Sequence, residues 1–258
     1  GSNRVLQTIL FVAGAVMLPV GIVIIVLGAY GAARTAFLYD GSTMHALGAM
    51  FPAVPANGLK IGGSFAYGID DAGHVVGALE VDGDFGYHAY LYDGSLRDLS
   101  GGRGQYGFAD DLNDSGQVIG RDDCCWSFIH DNGSTTLIGN DPDYWEISAR
   151  AINEHGQAVF HTYTGNGAFG SPLLYDDGAL HKISDLLGPS GHGLYMVSAW
   201  DINDAGQILA SGVPRSEMLG DDIWMVGTST PRAYLLTPIP EPETYPLMAA
   251  GLLLLALR

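Results

Sequence analysis

The residues of this 258-residue chain that could do chemistry are mainly acidic side chains, which gather at turns. Calcium binds six to eight oxygens from carboxylates, carbonyls and water, so acidic turns repeated along a chain could supply its ligands. Asp and Asn are also the residues that such turns require, because their side chains bond back to the backbone. The acids concerned are Asp70, Asp71, Asp110, Asp111, Asp114, Asp122, Asp123, Asp141, Asp143, Asp201, Asp204, Asp221 and Asp222.

The sequence gives no support to a particular metal or reaction. It has no twelve-residue calcium loop with a terminal Glu, no Gly-x-Ser-x-Gly, no His-Glu-x-x-His and no phosphate-binding loop. Glu154-His155, with His161 beyond, straddles a predicted turn and has no nucleophile or third ligand at motif spacing. We therefore predict no catalytic residue, no metal site and no cofactor. Calcium stays open as an alternative, as does a glycoside hydrolase with paired carboxylates.

Four near-copies of one ten-residue segment place many of these acids on turns between strands. The copies occupy residues 68–77, 111–120, 151–160 and 201–210, and their turn glycines stand about 40 to 50 residues apart. A repeat of this size with β-type content is typical of folds in which each unit buries its apolar face against its neighbours.

An aromatic motif alternates with this segment, clearly at residues 36–41 and 89–94 and more weakly at 127–131, 172–176 and 233–236. Each unit then has about four short strands, the content of one propeller blade. We predict an all-β fold, with a small β-propeller-like repeat domain of four or five blades over residues 35–237. The first two strands, 36–47, are expected to complete the sheet begun at Ile202 and so to close the ring. An open solenoid is the alternative.

The aromatic residues are the remaining candidates for recognition. Those on strands should pack between blades, whereas those beside irregular segments should be partly exposed and could contact sugar rings. The first group is Phe37, Tyr90, Phe128 and Tyr234, and the second is Trp126, Tyr144, Trp145, Trp200 and Trp224.

An apolar segment precedes the repeat domain. Residues 5–29 contain no charged side chain, and a segment of that length is long enough to span a bilayer. Small residues follow, and Gly31 and Ala33 suit the −3 and −1 positions of a cleavage site after Ala33. Residues 1–33 are therefore predicted to be a signal peptide or an N-terminal membrane anchor, and in either case the domain leaves the cytoplasm.

The charge and the cysteines fit an exported protein. The formal net charge is −17, and such a surface repels nucleic acid, whose binding depends on Lys and Arg. The only cysteines, Cys124 and Cys125, are adjacent. Neighbouring strand residues point to opposite faces, so we expect two thiols, with a strained disulfide as the alternative.

The C-terminal residues 239–258 combine Pro240-Glu241-Pro242, an apolar stretch over 246–257 and a terminal Arg258. The two prolines hold Glu241 extended and outside any sheet or helix, where a membrane enzyme could bind it. This tail closely resembles the PEP-CTERM sorting signal, with one closing Arg where that family has a cluster. The resemblance implies an exosortase-like membrane protease or transpeptidase as a partner.

The internal repeat resembles the extracellular HAF repeat, named for the His-Ala-Phe that stands here as His88-Ala89-Tyr90. Its other half, Ile-Asn-x-x-Gly-Gln-Val-Val-Gly, is similar to residues 112–120 and 202–209. The resemblance implies an extracellular location and a propeller-like shape, but no reaction.

Together these features predict a non-enzymatic structural or adhesive protein on the outer surface, or in the extracellular matrix, of a Gram-negative-type bacterium. It would associate with the membrane through its terminal apolar segments before processing, and exopolysaccharide is a further expected partner. A glycan-active propeller enzyme and a calcium-dependent glycan-binding module are the alternatives.

Overall fold

A computed structural model describes residues 22–26, 35–39, 42–47, 61–81, 86–100, 107–122, 125–139, 143–165, 169–218 and 230–238. The all-β prediction is confirmed for these residues, which form eighteen strands and one short helix, α1 (Ile183–Leu186). The strands are β1 (Ile22–Val26), β2 (Thr35–Tyr39), β3 (Met44–Ala46), β4 (Ile61–Ile69), β5 (Val75–Val81), β6 (Tyr87–Tyr92), β7 (Leu96–Asp98), β8 (Gly107–Leu112), β9 (Val118–Asp122), β10 (Ser127–Asp131), β11 (Ser134–Ile138), β12 (Glu146–Ile152), β13 (Ala158–Tyr163), β14 (Leu173–Asp176), β15 (Ala179–Lys182), β16 (Leu194–Ile202), β17 (Ile208–Pro214) and β18 (Arg232–Leu236).

The strands form five antiparallel sheets, each made of strands consecutive in the chain. We number the sheets 1 to 5 in chain order: β1–β3, β4–β7, β8–β11, β12–β15 and β16–β18. In sheets 2 to 5 the ten-residue repeat supplies the turn between the first and second strands, and the aromatic motif supplies the third strand. The predicted strand content of each unit is therefore confirmed for sheets 2, 3 and 4.

Each sheet packs against the next through its apolar side chains, so the core consists of four layers in series. Between sheets 2 and 3, for example, Val76 and Leu91 pack with Ala109 and Leu112. The other layers join Ala36 to Leu79 and Tyr90, Ile119 to Ile147 and Ile152, and Val159 to Met196 and Ile202. Each unit thus buries its apolar face against its neighbours, as the repeat predicted.

The predicted ring closure by strand exchange is wrong in the part of the chain that the structure describes. β18 supplies the third strand of sheet 5, where Leu235 pairs with Leu209 of β17. β2 pairs instead with β1 and β3. The physical reason is that the last copy of the aromatic motif, 233–236, already fills the place that residues 36–47 were expected to take.

The N-terminal segment contributes one described element. β1 lies within residues 1–33, the predicted signal peptide or anchor, and it pairs with β2 along its whole length. Within the described ranges, the structure has no helix long and apolar enough to cross a bilayer. The other residues of 1–33, Ala33 included, and the tail 239–258 with Pro240, Glu241 and Pro242 lie outside the described residues.

One of the two cysteines is described. Cys125 is half-buried, and its carbonyl accepts a hydrogen bond of 3.1 Å from the Ile147 N–H of sheet 4. Cys124 lies outside the described residues, so the predicted thiol pair stays a prediction.

Candidate functional site

The ten-residue repeat folds into the same hydrogen-bonded turn in each of its four copies. After β12, the Asn153 N–H donates to the Gln157 carbonyl at 2.9 Å, and the Gly156 N–H donates to the Asn153 carbonyl at 3.0 Å. The Asn153 side chain bonds back to the chain, as expected: Oδ1 accepts from the Gln157 N–H and Nδ2 donates to Gln157 Oε1, both at 2.9 Å. Gly156 has φ +75°, which glycine adopts without steric cost.

Neighbouring turns are joined through their asparagines. Asn113 Nδ2 donates to the Asn153 carbonyl at 2.9 Å, and Asn153 Nδ2 donates to the Asn203 carbonyl at 3.0 Å. Asn113 and Asn153 are buried, so these bonds are shielded from water. We call the four linked turns, residues 70–73, 113–116, 153–156 and 203–206, the turn ladder.

The acids of the turn ladder follow the same rule. Each of three carboxylates accepts a hydrogen bond from the backbone N–H of the acid in the preceding turn. Asp114 accepts from Asp71 at 2.8 Å, Glu154 accepts from Asp114 at 3.0 Å, and Asp204 accepts from Glu154 at 3.0 Å. These acids therefore line up along the sheets and bind backbone, and do not converge on one pocket.

The first turn has a variant of this pattern. Asp70 replaces the asparagine and His74 the glutamine, with Asp70 Oδ2 2.6 Å from His74 Nδ1. Asp70 Oδ1 accepts from the His74 N–H at 2.7 Å. A carboxylate has no amide donor, so Asp70 makes no equivalent of the bond from Asn113 to the next turn.

A β-bulge interrupts the first strand of sheets 2 to 5 at one equivalent position. The pairing shifts between Ala66 and Gly68, Ala109 and Asp111, Ala149 and Ala151, and Ala199 and Asp201. In every copy the residue before the bulge is a buried alanine, and the turn residue Asn or Asp comes three positions after the bulge. The four bulged residues, which we call the bulge row, are Tyr67, Asp110, Arg150 and Trp200.

Three members of the bulge row contact the side chain eleven positions further along, on the second strand of the same sheet. Arg121 Nε donates to both carboxylate oxygens of Asp110 at 3.2 Å. Arg150 Nε donates to His161 Nδ1 at 2.9 Å, and Trp200 Nε1 donates to Ser211 Oγ at 3.4 Å. The bulge aims its extra side chain at the neighbouring strand in each case.

Ring contacts join the two ends of the bulge row, Tyr67 and Trp200, to residues of a neighbouring sheet. The ring centroids of Tyr67 and Phe108 are 6.3 Å apart, and the Arg121 guanidinium lies 4.5 Å from the Phe108 centroid. At the other end, His161 meets Trp200 edge to face at 4.8 Å. Tyr67 and Trp200 are 43% and 52% exposed, whereas the charged residues between them are half-buried. The row is thus a polar strip with an exposed aromatic residue at each end.

Burial shifts the pKa values of three groups in and beside this strip. It raises the pKa of Asp110 to about 6, against the opposing charge of Arg121. Burial also raises the pKa of Glu146, which Arg121 and Arg150 oppose. The pKa of His161 falls to about 4, first through burial and then through Arg150. His161 is therefore neutral at pH 7 and has a lone pair for the Arg150 N–H.

A separate cleft of about 370 Å³ lies between sheets 2 and 3, beside the turn ladder. Leu91 and Leu112 line it, and Asp93, the only acid among its described lining residues, pairs with Arg97 at 2.6 Å. A single, paired carboxylate does not supply the two carboxyl groups of glycoside hydrolysis. Across the described ranges, no three His, Cys, Asp or Glu side chains are grouped to hold a metal ion. The expected absence of a cofactor stays a prediction.

The burial of the aromatic residues follows the sequence predictions in part. Tyr90 and Phe128 are buried between sheets, as predicted, whereas Phe37 and Tyr234 are only half-buried. Of the residues expected to be partly exposed, Trp145 and Trp200 are exposed and Trp126 and Tyr144 are half-buried, with Trp224 outside the described residues.

The sequence reasoning missed the bulge row as a site. An extension of the four-copy alignment by a few residues would have aligned Tyr67, Asp110, Arg150 and Trp200, each directly after an alanine. Comparison with known proteins adds no family: no family model matches the chain, and no curated protein matches it. The HAF and PEP-CTERM resemblances stay predictions. The bulge row and the turn ladder are the features of the structure that bear on function.

Proposed function

We propose that this chain is a non-enzymatic structural or adhesive protein of a bacterial surface or exopolysaccharide matrix, and that the bulge row is its glycan-binding site. One observation carries the proposal: four equivalent bulges place Tyr67 and Trp200, both exposed, at the two ends of a strip whose centre is Asp110 and Arg150. Binding sites for small molecules and sugars combine flat apolar surfaces with a few oriented polar groups.

The polar centre suits recognition of hydroxyl groups. Asp110 is held by a bifurcated hydrogen bond from Arg121 Nε and keeps further acceptor positions on its oxygens. Arg150 uses Nε for His161 and has further N–H donors on its two terminal nitrogens. An acceptor beside a donor matches two neighbouring hydroxyls of a sugar ring.

A glycoside hydrolase is the second candidate, and one observation favours it. Asp110 and Glu146, two carboxyl groups with raised pKa, both lie within the electrostatic reach of Arg121 and Arg150. Retaining and inverting glycosidases use such pairs, one of which must donate a proton. The bifurcated hydrogen bond from Arg121 Nε holds Asp110 as an acceptor, which is the reason that we place binding first.

The wider proposal concerns location and shape. The five sheets would be blades of a propeller-like array, supported by their face-to-face packing in series. The chain would be exported, and an exosortase-like enzyme would process the tail at Pro240-Glu241-Pro242. Export and processing of the tail are supported by the sequence resemblances and by the net charge of −17.

The test measures binding of the purified chain to a panel of neutral and acidic polysaccharides by isothermal titration calorimetry or affinity electrophoresis. Trp200→Ala and Tyr67→Ala should each weaken binding about tenfold, since loss of one stacking contact costs about 1.4 kcal/mol. Trp145→Ala is the matched control, because it removes an indole of similar exposure outside the bulge row.

Two outcomes would redirect the proposal. If Trp200→Ala and Tyr67→Ala bind as the unmodified chain does, the bulge row is not the glycan site. If the chain releases reducing ends from a bound polysaccharide, and Asp110→Asn abolishes that release, the protein is an enzyme and the second candidate replaces the first.

A further inference from the structure

The last sheet carries an apolar face that the other residues described by the structure leave open. Leu209 of β17 and Leu235 of β18 are directly paired, and they are 45% and 62% exposed. Ala233, the next residue on the same face, is also exposed. Apolar pairs of this size on a strand face normally mark a surface that another element covers.

The repeat shows what covers this face elsewhere. The residues of sheet 2 equivalent to Leu209 and Leu235 are Val76 and Leu91, which are 0% and 8% exposed. Sheet 3 covers them, through Ala109 and Leu112. In sheet 3 the equivalent pair, Ile119 and Ile129, is buried in the same way under sheet 4. The occupant that this face fits is therefore another sheet of the same repeat.

The last turn of the turn ladder, 203–206, belongs to sheet 5, the sheet with this open apolar face. Asn113 and Asn153 are buried because the following turn covers them and accepts from their Nδ2. Asn203 is exposed, and within the described residues its Nδ2 donates only to Gln207 of its own turn. An occupant of sheet 5 would supply a backbone carbonyl for this amide, as the following turn does for Asn113 and for Asn153.

The opposite end of the array carries the complementary face. In β2, Ala36 and Leu38 point toward sheet 2 and pack in the first core layer. Phe37 and Tyr39 point the other way, because side chains alternate along a strand. Met44 is directly opposite Tyr39 and is exposed. The residues equivalent to Phe37 in the next two sheets, Tyr90 and Phe128, are buried against a preceding sheet.

We propose that sheet 5 of one copy binds the outward face of sheet 1 of a second copy, so that chains associate head to tail. Leu209, Leu235 and Met44 are all exposed, so among the described residues neither end of the array covers the other. The contact joins two different surfaces, and such heterologous contacts build rings or filaments. This inference does not depend on glycan binding.

The net charge makes the association depend on the salt concentration. Each copy has a formal net charge of −17, so copies repel one another over a distance set by the ionic strength. The apolar contact itself is insensitive to screening. Association should therefore strengthen between about 0.05 and 0.5 M salt, where the Debye length falls several-fold.

Sedimentation velocity of the full chain over a range of concentrations tests the proposal. The unmodified chain should form species larger than a monomer, and Leu235→Glu should weaken their formation at least tenfold. Leu180→Glu is the matched control, because Leu180 is an exposed leucine on β15, an outer strand of sheet 4. Thermal unfolding followed by circular dichroism checks that each variant is folded, and both positions are exposed enough to accept a charge.

A mixing experiment identifies the two faces. Met44→Glu and Leu235→Glu each leave one face intact, so each alone should stay monomeric, while a mixture should form one-to-one dimers that grow no further. The proposal is overturned if the unmodified chain is monomeric throughout, if Leu235→Glu associates as Leu180→Glu does, or if Met44→Glu alone still forms dimers, which would mean that two copies of sheet 5 pair with each other.

Discussion

At the scale of single residues, one asparagine holds each of the last three ladder turns through several hydrogen bonds. Asn153 accepts from the His155 and Gln157 N–H groups and donates to Gln157 Oε1 and to the Asn203 carbonyl. Because it is buried, water cannot replace partners that are lost. The residue therefore holds its own turn and also joins sheet 4 to sheet 5.

Asn153→Ala should lower the free energy of unfolding by about 2–4 kcal/mol, because it removes four part-buried hydrogen bonds that contribute about 0.5–1.5 kcal/mol each. Urea unfolding at pH 7, followed by tryptophan fluorescence, measures the loss. Asn203→Ala is the control, since Asn203 makes the same bonds within its turn but is exposed and has no successor. Equal losses at the two positions would show that the bond to the next turn contributes nothing.

At the scale of elements, the first strand of each repeat sheet is shaped by its bulge. In sheets 2 and 3 the backbone of the first strand lies so close to the second that Gly77 and Gly120 have no room for a side chain, whereas the equivalent positions of sheets 4 and 5 hold Phe160 and Ala210. A Cβ at Gly120 would overlap the Phe108 carbonyl oxygen and the Phe128 ring. The bulge at Asp110 turns that side chain toward Arg121, so the shape of this strand sets the polar centre of the bulge row.

Gly120→Ala should therefore destabilise the fold by at least about 3 kcal/mol, or prevent folding, because the methyl group meets backbone and an aromatic ring. Urea unfolding checks the size of the loss. Gly165→Ala is the matched control, since Gly165 is exposed and a Cβ there meets no atom within 4 Å. A loss of under about 1 kcal/mol at Gly120 would mean that the bulge can relax, and that the close approach does not hold the strand in place.

At the scale of the whole molecule, the array has a repetitive interior and two distinct ends. The four core layers repeat one packing pattern, whereas sheets 1 and 5 each have a face on which the described residues place no other sheet. Repeat arrays need capped ends to remain soluble as single chains, and uncapped ends favour association. The proposals for glycan binding and for head-to-tail association use different surfaces, so each can fail without the other.

The predicted sorting tail also belongs to this scale. In the native host, Glu241→Ala should leave folding unchanged and trap the protein with its tail attached, because the enzyme would no longer bind the extended tripeptide. Mass spectrometry of the surface protein reads the C-terminus directly. Glu243→Ala, which removes the next acid outside the tripeptide, is the control and should be processed. An intact end at Arg258 in the unmodified surface protein would contradict the sorting prediction.

Much of the fold could be predicted because the signals are local. Asn113-Asp114-Ser115-Gly116 is a hairpin turn for reasons within four residues, and the strands on either side follow from β-branched and aromatic residues. The count of repeats predicted a series of similar sheets. Ring closure was wrongly predicted because the partner of β2 depends on β1 and on β18, which are far from it in sequence.

The sequence by itself determined the all-β class, the positions of the ladder turns and the burial of Tyr90 and Phe128, but not the half-buried positions of Phe37 and Tyr234. Tertiary structure alone decided that the turn acids bind neighbouring backbone, that Tyr67, Asp110, Arg150 and Trp200 form one row, and that Leu209 and Leu235 are left uncovered. The reason is physical. A turn or a strand depends on dihedral preferences and alternation over a few residues, whereas a bulge, an inter-sheet hydrogen bond or an open face depends on which segment, 40 to 50 residues away, packs against it.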